Sequence, residues 1–150
     1  MSEPEFKSFS KIARLNREVI VTEKIDGTNG LVYIPEDGGP ILAGSRSRWI
    51  TPTDDHFGFA RWVAEHAEEL RGLGPGYHYG EWWGAGIQRR YGQTVKRWSL
   101  FNVARWSDPA VRPACCDVVP EIVRGMDIRE TTERALTALR AGGSFAAPGF

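Results

Sequence analysis

Hydrophobic and polar positions change rhythm several times along the chain, and each rhythm predicts an element. Glu18–Lys24 is rich in β-branched residues and reads as a strand, Asp26-Gly27 is a hairpin turn signal, and Gly30–Ile34 is the expected return strand. A second turn over Glu36–Pro40 leads to a short strand at Ile41–Gly44, then a polar loop over Ser45–Pro52. Asp54 or Asp55 can cap a helix whose apolar positions, Phe59, Trp62, Val63, Ala67 and Leu70, recur with a helical period until Gly72 and Gly74-Pro75 end it. Tyr77–Trp83 reads as a strand, Gly84–Tyr91 as an arginine-bearing loop, and Arg97–Arg105 as a core strand.

The C-terminal third is less regular. Val118–Val123 is a short helix or a strand, with Pro120 arguing against either. Asp127 and Glu130 have capping-box spacing, and Ala135, Leu136 and Leu139 give the following helix a buried face before Gly142-Gly143. Ser144–Phe150 shows no pattern, and Phe6, Phe9, Ile12 and Leu15 make a weak amphipathic turn or short helix near the start. Hairpin-rich strands with interspersed helices predict an α+β fold with mostly antiparallel sheet and flanking helices, a single domain over residues 1–150.

Composition narrows the partners little. Apolar residues make up 41% and charged residues 25%, which excludes wholesale disorder. Nineteen basic residues balance nineteen acidic ones, so no overall field points to nucleic acid or a membrane. With no apolar run of membrane-spanning length and a polar start, a soluble, cytoplasmic chain is expected. Cys115 and Cys116, the only two cysteines, are adjacent and provide neither a disulfide framework nor a zinc site. Only four basic residues are lysines (Lys7, Lys11, Lys24 and Lys96), so a lysine at the end of a strand, Lys24, stands out. Its amine can be a nucleophile, a role closed to arginine, which stays protonated.

The string Val21-Thr22-Glu23-Lys24-Ile25-Asp26-Gly27-Thr28-Asn29 resembles the nucleotidyltransferase motif shared by ATP-dependent RNA ligases, DNA ligases and mRNA capping enzymes. The Thr-Glu-Lys lead-in and the position of Asn29 are most similar to the phage-type RNA ligase 2 family. Three further stretches follow in that family's order. Ser45-Arg46-Ser47-Arg48 with Pro52 and Asp54-Asp55-His56-Phe57-Gly58 resembles the second motif, and Tyr79-Gly80-Glu81-Trp82-Trp83-Gly84 the glycine–glutamate–aromatic motif. Gly86-Ile87-Gln88 also fits, and Trp98-Ser99-Leu100-Phe101-Asn102-Val103 is similar to the aromatic motif of the adenine pocket.

The resemblance implies a nucleotidyltransferase, ATP-grasp-like ligase domain and assigns roles residue by residue. Lys24 attacks the α-phosphate of ATP and holds AMP through a phosphoramide bond. Glu23 and Ile25, on either side of it, belong to the nucleotide pocket. Asn29 contacts the reacting phosphate, and Arg46 reaches the sugar or phosphates. Glu81 takes the ribose or a metal-bound water, with no other metal contact, and Phe101 stacks on adenine. Developing charge at phosphorus needs such cations and oriented donors. The cofactors implied are ATP and Mg²⁺, or Mn²⁺ in its place; the implied partners are RNA ends bearing a 5′-phosphate or 3′-hydroxyl. The glycines Gly80 and Gly84 are expected to let backbone approach the ligand. Asn102 stands where the family often has an acidic residue.

Residue by residue, plainer readings compete: Asp26-Gly27 as a turn, Arg46 and Arg48 as a solvated loop, Phe101 as core, and Glu81 as a strand-edge charge. Trp82, Trp83 and Trp98 are packing or pocket walls, and His56, His66 and His78 lack ligand spacing. Arg89-Arg90 with Arg97 is either a nucleic-acid contact or a solvated basic loop.

The resemblance stops short of two motifs, a Glu-Gly and a Lys-x-Lys strand; no Lys-x-Lys follows Lys96. The sequence is therefore expected to be the N-terminal part of a ligase domain, incomplete at its C-terminus, with the rest supplied by a missing segment or a second polypeptide. A non-catalytic domain binding ATP or RNA ends, and a DNA-ligase or capping-type nucleotidyltransferase, are the alternatives.

Overall fold

The computed structural model describes residues 3–9 and 18–148. Eight strands and four helices follow one another as β1 (Val19–Thr22), β2 (Thr28–Ile34), β3 (Leu42–Gly44), β4 (Trp49–Ile50), α1 (Phe59–Glu65), α2 (Ala67–Leu70), β5 (Gly76–Gly84), β6 (Lys96–Leu100), α3 (Val103–Trp106), β7 (Asp117–Val118), β8 (Glu121–Gly125) and α4 (Ile128–Gly142). Six strands form one sheet in the order β4-β3-β2-β5-β6-β7, antiparallel except for β6 with β7. The α+β, mainly antiparallel architecture is the one the residue pattern predicts.

The alternation of β2, β5 and β6 gives this sheet two different faces. One carries Val32, Ile34, Trp82, Trp98 and Leu100 into a core closed by Phe59, Val63, Leu70 and Leu73. A pair of glycines facing each other across the ladder, Gly30 and Gly80, makes room there for the Trp98 indole. A Cβ on either would lie within 2.9 Å of the Trp98 Nε1 atom, which donates to Gly30 O at 3.1 Å. Gly80 is therefore needed for core packing rather than for approach of a ligand, and a Cβ on Gly84 would meet Val95 O at 2.5 Å. Both glycines depart from their expected role because neighbouring strands already occupy the space.

The expected hairpin between β1 and β2 does not form. β1 pairs with β8 in a separate two-stranded antiparallel sheet, an association continued by the Glu23 N–H to Pro120 O bond at 3.0 Å. The chain crosses between sheets at Asp26-Gly27, where a Cβ on Gly27 would lie 2.4 Å from Trp82 O. The glycine is required by close approach of two backbones, not by a tight turn. The Val118–Val123 ambiguity resolves as two strands, β7 and β8, parted by Val119-Pro120.

Three other elements differ in extent. The helix after Asp55 starts at Phe59, breaks at His66 and ends in a 3-10 turn over Arg71–Leu73. Asp55, not Asp54, caps it: its carboxylate accepts from Ala60 N at 2.8 Å and Arg61 N at 3.1 Å, while Asp54 pairs with Arg48. β6 stops at Leu100 because Asn102 caps α3, accepting from Arg105 N at 3.2 Å. On α4, capped by Asp127 as expected, Thr131 and Ala135 are buried but Leu136 is exposed. The segment after α4 is held in place: Ala147 is buried, and Glu23 accepts from Ser144 Oγ at 3.1 Å and Ala146 N at 2.9 Å. Phe6 and Phe9 lie in an irregular segment against the sheet, not in a helix, and Ile12 and Leu15 fall outside the described residues. No helix among the described residues is long and apolar enough to cross a membrane.

Candidate active site

The second face of the large sheet carries Asn29, Glu81 and Phe101, and opposite it passes the segment leaving β1. Between them lies a cavity of about 850 Å³. Glu23, Lys24 and Ile25 enter it from the β1 side, Asn29 and Glu81 from adjacent strands, Arg46 from the β3–β4 loop and Phe101 from the end of β6. All seven residues singled out in the sequence line this one space. Such a volume suits a nucleotide-sized ligand.

Local contacts hold the Lys24 segment. Ile25 is buried beside Trp83, Tyr91, Val103 and Val119, anchoring the backbone immediately after the lysine. Tyr91 Oη accepts from Asp26 N at 2.8 Å, and Glu81 Oε2 accepts from Gly27 N at 3.0 Å. Thr28 Oγ1 and His56 Nε2 are 2.9 Å apart, joining the start of β2 to the loop before α1. Asn29 and Glu81 are direct partners in the β2–β5 ladder.

The charges in the cavity are unequally compensated. Asp26 is 3.9 Å from Arg89, Glu23 is engaged by Ser144 and Ala146, and Glu81 by Gly27. Lys24 and Arg46 both line the cavity and take part in no ion pair among the described residues, although Lys24 is near enough to Glu81 to act on its charge. Both cations face the cavity together with Asn29, while the Asp26 and Gly27 backbone donors are already engaged by Tyr91 and Glu81. Burial pushes the Glu81 carboxyl above its ordinary value; the Gly27 N–H opposes this, Asp26 adds to it, and Lys24 opposes it. Burial likewise raises the Tyr91 phenol.

Phe101 presents a half-buried ring to the cavity, stacked on Phe9 at 5.4 Å between centroids and 27° between planes. Phe9, itself exposed, covers part of this ring at the cavity edge. Among the described residues no group of three or more His, Cys, Asp or Glu is arranged to hold a metal ion. Glu81 is one of the carboxylates that line the cavity, with Glu23 and Asp26.

The histidines are structural: His66 Nδ1 meets Trp62 O, and His78 Nε2 meets Gly74 O. Trp82 and Trp98 belong to the helix-side core, and Trp83 donates to Ser99 Oγ beneath the cavity. Sequence reasoning missed Phe9 and Tyr91 as cavity residues. Arg89, read only within a basic loop, also reaches it. Arg89 and Tyr91 lie in the loop after the glycine–glutamate–aromatic stretch, whose left-handed turns fold it back onto Asp26, a contact no local pattern announces.

Comparison with known proteins bears on the fold and the family. Solved structures of Naegleria gruberi RNA ligase share the fold. A mutant with ATP and Mn aligns with a TM-score of 0.56 and 22% identity, covering 81% of this chain and 40% of that one. The ligase with PPi gives a TM-score of 0.57 at 20% identity, covering 81% and 41% of the two chains. An apo mutant gives 0.56 at 21% identity, covering 88% and 43%. The chain thus spans about 40% of the length of these ligases. None of the curated proteins compared with the chain matches it. The sequence profile of the RNA ligase family matches residues 17–145, the stretch that holds every cavity residue named above except Phe9. The chain belongs to the RNA ligase family.

Proposed function

We propose that residues 1–150 form the nucleotide-binding part of an RNA ligase adenylyltransferase domain and that Lys24 is its nucleophile. The observation that carries this reading is the convergence of Lys24, Arg46, Asn29, Glu81 and Phe101 on one cavity. Adenine rests on Phe101, with Glu23 and Ile25 bounding its pocket, and the ribose reaches Glu81. The α-phosphate lies between Lys24 and Arg46, with Asn29 donating to it. Lys24 Nζ forms a bond to the α-phosphorus as the bond to pyrophosphate breaks, and the amine proton passes to solvent. Arg46 and Asn29 stabilise the charge that develops on the phosphoryl oxygens. A divalent cation, Mg²⁺ or Mn²⁺, supplies charge neutralisation on the triphosphate. The AMP is then transferred to the 5′-phosphate of an RNA end, which a 3′-hydroxyl attacks to seal the strand.

The test incubates the chain with Mg²⁺ and ATP radiolabelled at the α-phosphate, beside Lys24→Ala and a version extended by the downstream coding sequence. The extended form is expected to label strongly and the 150-residue form weakly, because the lysine pair that supplies further cations does not occur after Lys96. Lys24→Ala is expected to abolish labelling, and label that survives it overturns the assignment. A second reading is a binding domain for ATP or RNA ends without catalysis. ATP binding with no label in either form would support it. Label from GTP instead would indicate capping-type chemistry.

A further inference from the structure

The β5–β6 loop pays for an unusual backbone with one specific contact. Gln88, Arg90 and Tyr91 have φ values of 45°, 66° and 51°, in the left-handed region that bulky residues disfavour. This path brings Tyr91 beneath Trp83, edge-on at 5.4 Å, in the buried cluster that also holds Ile25 and Val103. It also places Tyr91 Oη 2.8 Å from the Asp26 N–H, while Arg89 of the same loop approaches the Asp26 carboxylate. Packing alone would be satisfied by the ring. The hydroxyl has a different effect: it takes the backbone donor two residues after Lys24, and Glu81 takes the next donor, that of Gly27. On the other side of the lysine, Glu23 N is bonded to Pro120 O at 3.0 Å. The backbone carrying Lys24 is thus clamped before and after the residue, although the lysine itself is exposed.

We propose that Tyr91 is a positioning residue for Lys24, its hydroxyl fixing the Asp26 backbone so that the lysine amine is held toward the phosphate position proposed between it and Arg46. The proposal rests on the reading of Lys24 as a nucleophile at that site. It acts through placement: a nucleophile displaced by roughly 1 Å can lose on the order of a hundredfold in rate. Tyr91→Phe keeps the ring and removes the hydroxyl.

The experiment has two arms. In the first, pyridoxal phosphate, an anion bearing an aldehyde, condenses with lysine amines with loss of water. Borohydride then reduces the imine to a stable secondary amine, and mass spectrometry gives the ratio of label on Lys24 to label on Lys96. Wild-type chain is expected to favour Lys24, and Tyr91→Phe to lower the ratio about tenfold. Val63→Ala, a comparable truncation in the helix-side core away from the Lys24 segment, is expected to leave the ratio unchanged. The second arm measures AMP transfer from ATP under single turnover, where Tyr91→Phe is expected to lower the maximal rate with the ATP concentration dependence changed less than about twofold.

An unchanged Lys24 to Lys96 ratio in Tyr91→Phe overturns the proposal. So does an equal fall in Val63→Ala, or a wild-type chain with no preference for Lys24. A ratio that falls in Tyr91→Phe while wild type transfers no AMP leaves the positioning role standing and refutes the activity proposed for the 150-residue chain.

Discussion

Glu81 Oε2 accepts the backbone N–H of Gly27 at 3.0 Å, so a carboxylate on β5 closes the segment that follows Lys24. The same side chain faces Asn29 across the ladder and lines the cavity. A group that holds the loop and lines the cavity couples folding of the site to its protonation.

Burial raises the Glu81 carboxyl above its ordinary value of 4.5, so the folded chain keeps this proton more tightly than the unfolded chain does. The contribution to stability is full below that ordinary value and is lost as pH rises through the higher folded value. Glu81→Gln retains an acceptor for Gly27 and has no proton to lose. Urea unfolding at a series of pH values should show the variant gaining on wild type as pH rises through this window. A constant difference would show that Glu81 titrates alike in both states.

His78 gives the opposite slope. Burial lowers it below 6.5, with Gly74 O opposing the shift and Arg105 adding to it. The folded chain takes up this proton less readily, so stability is full above 6.5 and is lost as pH falls through the lower folded value. His78→Gln, which can still donate to Gly74 O, should flatten the acid limb of the stability profile followed by circular dichroism. An acid limb identical to wild type would assign that slope to other groups.

Gly27→Ala should destabilise the chain by about 1–3 kcal/mol, since its Cβ would lie 2.4 Å from Trp82 O and 2.8 Å from Trp83 Cβ, in packed surroundings that cannot yield. Gly142→Ala, at the end of α4 with nothing within 4 Å, should stabilise by roughly 0.5–1 kcal/mol. Denaturant midpoints with unchanged slopes would measure both. A neutral Gly27→Ala would mean that the two backbones separate freely.

Phe101→Ala should weaken ATP binding by about 1–3 kcal/mol, the usual worth of an aromatic platform beneath a base, while Phe101→Tyr should bind as wild type does. Calorimetric titration distinguishes these outcomes. Equal affinity in Phe101→Ala would remove the ring from the base site and leave it as the packing partner of Phe9.

Short-range chemistry was legible in the residues. Alternation in Gly30–Ile34 and Tyr77–Trp83, the cap at Asp127 and the helical period from Phe59 to Leu70 all depend on neighbours a few positions away. The ordered motifs around Lys24, Arg46, Glu81 and Phe101 were equally visible, and the fold brings those residues to one cavity. Leu136 shows the limit, since its spacing fits a buried face while nothing covers it and Thr131 is buried instead.

What the tertiary structure alone decided are pairings between distant segments. β1 joins β8 across about a hundred residues rather than its neighbour β2, because the Asp26-Gly27 backbone packs against Trp82 and passes between sheets. The segment after α4 acquires structure only by meeting Glu23, and Tyr91 reaches Asp26 only through a loop of left-handed residues. A sequence by itself determines which residues can form an element and which can do chemistry, since both follow from local geometry and side-chain type. It leaves open which distant backbones meet, because that choice is made by packing the whole chain at once.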